Sequence, residues 1–487
     1  MGDVLSFGID FGTTNSAAFS FGDSGKVSIE TPYGAIGSMW PFPSLVAINR
    51  KDGSILTGIE ARERRNELEK DYEVIRSVKT VIDKDKTYEV AGKKWTPVEI
   101  ATEIFKGLAE AIRHKSKSEC KSAIVAVPVG FAPAKKANIR KAAKKAGIEV
   151  LQFISEPTAA FCSNYEDLKM CTNVAVFDWG GGTLDIAVLH IENGRVYELE
   201  SDRLDIGGDN IDEKIARKMH ERFCENKRIN ISFDEMSSKA KDSIINKCEN
   251  AKIDLTDTDV SNVSVLQYDD LGIVRASIDY DYFSLLIEPE VEMAMECLEN
   301  AINKSGLNIT NIDRILCVGG SSKLRPLRRK LIKKYGKGLV YYPKSVMWDI
   351  ARGAALINTK GYQYRLNQDL GLVMSNGDFY PMLRKGQTLP CEEARMCFAT
   401  VNNEKVAKFI VSDSANPDEC SFQQYITVEM EKPSFLKSYF EVSCFIDPDM
   451  LFRLRIRSSE FQHKYMYFWT YDNVKLVYRL EGGGKNG

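Results

Sequence analysis

The chain has 487 residues, too many for one hydrophobic core, so two or three domains are expected. Its 44% hydrophobic and 28% charged composition is that of an ordinary globular protein, and 66 basic against 68 acidic side chains leave a net charge near −2. That balance excludes a global electrostatic attraction to nucleic acid or anionic lipid, and no apolar run reaches the length that spans a bilayer.

The opening MGDVLSFGIDFG enters a strand almost at once, with neither a basic n-region nor an apolar h-region, so a cytoplasmic protein is expected. FGIDFGTTNSAAFSFG, Phe7 to Gly22, reads as a β-hairpin with an Asp-Gly turn rich in hydroxyls. Strands then alternate with helices to about residue 171. The basic run AKKANIRKAAKKAG in this stretch resembles a nucleic-acid patch, but its alanines and Ile139 define an apolar helix face, which leaves the lysines as a solvated one.

About 170 residues after the first hairpin, VFDWGGGTLDIAVL at Val176 to Leu189 repeats its construction. It belongs to a second α/β unit that starts near Thr172, is interrupted by a helical segment around Lys214 to Leu255, and resumes at about Tyr280. ILCVGGSSKLRPLRRKL, from Ile315, adds a buried strand, a Gly-Gly turn and a basic helix, and GAALIN at Gly353 closes the unit. After Lys360 the short alternating stretches LGLVMS, KFIVSD, QYITVEM and FRLRIRS, punctuated by NGD, PDE and DPD turns, argue a β-sandwich of antiparallel strands. EGGGKNG reads as a flexible tail. The 11 cysteines show no CxxC pair and no metal-ligand spacing, as expected of reduced, mostly buried thiols.

The duplicated hairpins suit polyphosphate and metal. Glycine lets backbone N–H groups approach phosphate oxygens, threonine hydroxyls add donors, and the carboxylates of Asp10 and Asp178 suit Mg²⁺ held through its water shell. One such loop alone is weak evidence, because glycine-rich turns after strands usually only reverse the chain. Two of them, followed by the Gly-Gly element that brings backbone flat against a base or ribose, resemble the actin-like ATPase superfamily.

IVAVPVGFAPAKKANIRKAAKKAGIEVLQFISEPTAAF at Ile124 to Phe161, with DIGGDNID at Asp205 to Asp212 and CENAKIDLT at Cys248 to Thr256, resembles the seventy-kilodalton heat-shock chaperones, the DnaK-like family. The resemblance is specific over residues 1 to about 360 and fainter to about 460. It implies an α/β actin-like ATPase of two lobes, each a ribonuclease-H-like unit (1–171 and 172–360). A linker (361–368), an antiparallel β-sandwich that holds substrate (369–480) and the tail (481–487) follow. The cofactors implied are ATP or ADP with Mg²⁺, and K⁺ as a further ion.

Carried over by position, Asp10 orients Mg²⁺ waters while Gly12, Thr13, Thr14 and Asn15 contact the β- and γ-phosphates. Asp178 mirrors Asp10, Gly180, Gly181 and Gly182 approach the phosphates, Thr183 offers a hydroxyl, and Asp185 positions the attacking water. The lysine expected at the γ-phosphate falls on Lys79 in VIRSVKTVID. Without the alignment Lys79 is an unremarkable surface charge. Glu156 of SEPTAA is the nucleotide-sensing glutamate. Pro128 and Lys136 match the proline and basic residue that relay nucleotide state to the β-domain; lysine replaces the family's arginine and loses its planar fork. Read without the alignment, Pro128 is a strand end and Lys136 a solvated helix residue. Gly207, Gly208, Glu249, Lys252, Gly319, Gly320, Ser321 and Lys323 match positions around ribose and adenine, with Lys323 where the family stacks an arginine on the base.

Four departures bear on function. NTKGYQYRLNQDLGL replaces the acidic, leucine-rich linker, YPKSVMWDIARGAAL replaces the usual NPDEAVAxGAA, and no long helical lid follows the β-rich stretch. Gln152 stands where J-domain co-chaperones dock on an arginine, so a J-domain partner is not expected. The leading expectation is an ATP-driven chaperone-like protein with a polypeptide client and a nucleotide-exchange factor, acting on neither nucleic acid nor membrane. The alternative keeps the nucleotide switch but gives the β-domain one dedicated protein partner. A small-molecule kinase of the same superfamily lacks support, because no sugar-site motif is apparent.

Overall fold

The computed structural model describes residues 5–21, 41–63, 71–344, 346–361, 363–399, 405–416, 418, 420–429, 439–458, 467–472 and 474–480. Two compact units divide the chain, one of Met1–Ile191 with Leu199–Lys360 and the other of Glu192–Glu198 with Gly361–Gly487.

The first unit holds two large sheets built to one plan, beside smaller sheets of two or three strands. In the first, β1 (Ser6–Asp10) and β2 (Asn15–Phe21) form an antiparallel hairpin, with β3 (Phe42–Pro43) beyond it. On the other side of β1 lie β4 (Ser122–Val127) and β5 (Glu149–Ser155), both parallel to it. The second sheet repeats this with the hairpin of β6 (Asn173–Trp179) and β7 (Leu184–Glu192), followed by β8 (Arg195–Leu204), of which only Leu199–Leu204 belongs to this unit. Parallel strands β9 (Arg314–Val318) and β10 (Val340–Tyr341) flank β6. Central strands such as β6 and β7 are almost wholly buried, which explains why they read as continuous apolar runs.

Helices cover both sheets. Pro97–Ser116 begins at a capping box, Thr96 with Glu99, with Pro97 in its first turn, and buries Ile100, Ile104, Phe105, Leu108 and Ile112. Pro133–Lys145, the basic run, buries only Ile139, Ala142 and Ala143 beyond its first turn, while Lys141, Lys144 and Lys145 are exposed. The helix Asp349–Lys360 packs on β1 and on the helix Glu156–Ser163, and both contacts are bare. A Cβ on Gly8 would stand 2.1 Å from the Ala355 nitrogen, and one on Gly353 only 1.7 Å from the Ala159 carbonyl oxygen. These two approaches involve the strand that carries Asp10 and the helix that begins at Glu156.

The second unit is mostly two four-stranded antiparallel sheets. Residues 370–373, 379–383, 406–412 and 423–429 form one, and 394–399, 439–446, 452–458 and 467–471 the other. Alternation is clear in Phe452–Ser458, whose apolar residues are buried between half-buried arginines. Two stretches fall on a side of the boundary that their sequence does not suggest. Glu192–Glu198, inside the span read as the second lobe, belongs to this unit because Arg195–Tyr197 pairs with Val477–Arg479. Residues 361–368, read as a linker, contain a strand: Arg365–Leu366 pairs with Val477 and Leu476, Leu366 is fully buried, and Tyr364 packs on Tyr478 with centroids 3.7 Å apart. Tyrosine and leucine there bury apolar area that a solvated linker would expose. The tail 481–487, and Pro417 and Glu419 of the PDE turn, lie outside the described residues.

Candidate functional site

The two hairpin turns face each other across a cleft of about 630 Å³ in the first unit, well within the size range of nucleotide pockets. Gly12, Thr13, Thr14 and Asn15 form one wall and Gly180, Gly181, Gly182 and Thr183 the other. The walls are complementary because one carries side chains and the other bare backbone. A Cβ on Gly181 would lie 2.0 Å from Thr14 Oγ1. Gly319, Gly320 and Ser321 enter from the end of β9. Gly319 has φ of 80° and lies so close to the second turn that a Cβ there would stand 2.5 Å from Asp178 Oδ1. Ser321 Oγ donates to the Gly180 carbonyl at 2.9 Å, tying this third element to the second hairpin.

Asp10, Asp178 and Glu156 meet at the floor with Lys79. Lys79 Nζ lies 2.8 Å from Glu156 Oε1, and both side chains are at least nine-tenths buried. The lysine projects from the short helical turn Val78–Val81, which follows Ser77 at φ 55°, a left-handed conformation costly for serine. Burial raises the Asp10 carboxyl to about 7, with the Glu156 charge adding to it and Lys79 opposing. Asp178 is pushed up by burial, then by Glu156, Asp185 and Asp10, again against Lys79. The burial and mutual repulsion that disfavour both ionised aspartates are what a divalent cation would offset. Among the described residues no three carboxylate, histidine or cysteine side chains converge on one metal position, so a cation here would depend on water and phosphate oxygens as well.

Asp185 is not in the cleft wall. The β6–β7 register sets it opposite Asp178, only 1% exposed, where its Oδ2 accepts from Thr183 Oγ1 at 2.8 Å. Burial and Glu156 raise its carboxyl to about 7, while Arg203, Thr183 and Lys79 pull the other way. Gly207 also sits behind the wall, where a Cβ would lie 2.3 Å from the Gly181 carbonyl oxygen.

At the nucleoside end, Gly208, Glu249, Lys252 and Lys323 line the cleft. Lys252 Nζ is engaged by Asp212 Oδ2 at 2.8 Å and by the Gly208 carbonyl at 3.0 Å. Lys323 is exposed, beside Arg328 and Tyr342. Pro128 and Lys136 do not line the cleft. The Pro128 carbonyl accepts from the amide of Phe131, whose ring centroid is 5.6 Å from Lys79 Nζ, and the lysine over that ring on the following helix is Lys135 rather than Lys136. Gln152 is buried in β5, just past a register shift that leaves Leu151 exposed.

Residues that reading along the chain did not single out also close the site. Asp209 accepts from Thr14 Oγ1 at 3.0 Å and from Ser77 Oγ at 3.2 Å, and Arg62 bridges Glu249 at 3.1 Å. Asp209 and Asp212 are one helical turn apart in DIGGDNID, a spacing that puts two carboxylates on one face and was legible in principle. Arg62 and Arg203 carry no such local signal. No helix among the described residues is long and apolar enough to cross a membrane. The family model described as Hsp70 protein matches residues 61–360, more than half of the chain.

Proposed function

We propose, because the chain belongs to the Hsp70 family, that its cleft binds Mg²⁺-ATP, that ATP is hydrolysed there, and that the nucleotide state governs how the β-sandwich unit holds an extended polypeptide. The observation that carries this reading is the pair of facing turns, one of hydroxyls and one of bare glycine, above a buried Lys79–Glu156 pair. Backbone N–H groups of Gly181 and Gly182 and the hydroxyl of Thr13 are donors of the kind that cradle phosphates, while the Gly180 N–H is held by the Thr183 carbonyl and the Thr14 proton by Asp209. Bound Mg²⁺ would neutralise phosphate charge, with Asp10 and Asp178 the residues to hold its waters.

Phosphoryl transfer depends mostly on positioning and charge neutralisation. Lys79 already bears its charge at the floor and can exchange Glu156 for a γ-phosphate oxygen. Thr183 spends its only proton on Asp185, so toward the cleft its oxygen is an acceptor. Such an acceptor orients a water with a lone pair toward phosphorus. Peptide binding would follow the strand-addition mode, with main-chain hydrogen bonds and a pocket for an apolar side chain. Coupling between the sites is reciprocal: if ATP weakens peptide binding, peptide weakens ATP binding by the same factor.

The test is anisotropy of a labelled extended apolar peptide, followed through addition of Mg²⁺-ATP, alongside ATP turnover. Binding released by ATP is the expected result. A second reading, a nucleotide switch for one dedicated partner, is favoured by the strand that residues 365–366 form where a free linker was expected. Turnover without any peptide binding would select it. ATP that neither binds nor turns over would remove both.

A further inference from the structure

Asp185 has one oxygen bonded to Thr183 and one, Oδ1, buried with no hydrogen-bond partner among the described residues. Facing that orphaned oxygen is Arg203, near the end of β8, with Nη1 at 4.0 Å. The separation is too long for a hydrogen bond, but with Asp185 almost fully buried it is a strong Coulombic contact. The guanidinium Nε and Nη2 bind Asp205 Oδ1 at 3.2 and 3.1 Å, and Asp205 is itself out in solvent. Arg203 thus contacts Asp205 with one edge of its fork and presents Nη1 to a carboxylate in the layer behind the cleft. Nothing in the hydrolysis outlined above uses it.

We propose that Arg203 is a positioning residue for hydrolysis. It holds the Asp185 carboxylate in place, so that Thr183 donates to Asp185 and turns its lone pairs into the cleft. The chain of contacts runs from the rim to the reacting end: Asp205, Arg203, Asp185, Thr183. Two alternatives to Arg203 at this place are worse. An apolar residue would leave Asp185 with only the Thr183 hydroxyl, free to rotate about its side-chain torsion. A small polar residue would admit water at Oδ1 and let the Thr183 proton find another acceptor. Either loosens an acceptor that must point at one water, and misplacement on this scale is expensive for a reaction governed by orientation.

The inference rests on the cleft being an ATPase site, and the experiment separates the two. Turnover, KM for ATP and ADP affinity by calorimetry are measured for wild type, Arg203→Ala, Arg203→Lys, Asp185→Asn and the Arg203→Ala/Asp185→Asn double variant. Arg203→Ala should lower kcat about tenfold or more while KM and ADP affinity stay within about twofold. Arg203→Lys should recover most of the loss, because it restores the charge. In the Asp185→Asn background Arg203→Ala should cost nothing further, since residues acting through one another are not additive. An unchanged kcat in Arg203→Ala, or the same loss in both backgrounds, overturns the inference and leaves the ATPase reading standing. A wild-type protein that turns over no ATP overturns both. If Arg203→Ala binds no ADP, Arg203→Gln is judged by the same two criteria.

Discussion

The two hairpins at the cleft share a plan and differ in what they hang on it. Asp10 and Asp178 begin equivalent turns, and seven residues later each strand returns to face its own aspartate: Ala17 in the first, Asp185 in the second. The first turn carries Thr13, Thr14 and Asn15, and the second carries Gly180, Gly181 and Gly182. One hairpin therefore supplies side-chain grip, while the other supplies backbone donors and a second carboxylate. The duplicated fold provides symmetric scaffolding, and the chemistry comes from breaking that symmetry.

The comparison fails most visibly if charge at the floor is removed. Lys79→Ala should reduce turnover about a hundredfold or more with ADP affinity largely kept, since the lysine offsets charge that develops in the transition state. Normal turnover in that variant would mean that another cation serves the γ-phosphate. The next largest effect tests the bare wall. Gly181→Ala drives a methyl into Thr14 Oγ1, whereas Gly182→Ala meets Thr13 no closer than 3.1 Å. Nucleotide affinity should fall about tenfold in the first and change little in the second, as titration calorimetry would show. Equal losses would argue that the walls do not interlock.

A smaller effect concerns pH. Because the Asp10 carboxyl is raised to about 7, its folded-state value lies above its unfolded one. Its contribution to stability is therefore fully present below the ordinary carboxylate range and is lost as pH rises through about 7. Asp10→Asn removes the titration, so the nucleotide-free variant should melt higher than wild type by a gap of about 2–4 °C per kcal/mol that opens between about pH 4 and pH 7. A gap independent of pH would show that the folded Asp10 carboxyl is not raised. The smallest change expected is in Lys323→Arg, where a stacking guanidinium should tighten ADP within about threefold.

Much of this was legible in the chain. The hairpins announce themselves because an aspartate, a glycine turn and alternating apolar residues are all local. Lys79 was not legible by itself, since a buried ion pair with Glu156 joins residues 77 apart. Arg62 escaped for the same reason, its partner Glu249 being 187 positions away, and the spacing of Asp209 from Asp212 is silent on Thr14, which is 195 positions from it. The 192–198 segment escaped because strand pairing with Val477–Arg479 cannot be read from alternation alone, which is silent on partners.

The contacts of Gly8 and Gly353 with their neighbouring helices have a mechanical meaning. A joint filled with interlocking side chains can change angle only by swapping rotamers, one discrete packing for another. Where peptide groups lie directly on peptide groups, as they do against Ala355 and Ala159, the surfaces are smooth on the scale of an atom. The strand that carries Asp10 and the helix that begins at Glu156 rest on a bearing, and a methyl group at either glycine would be grit in it.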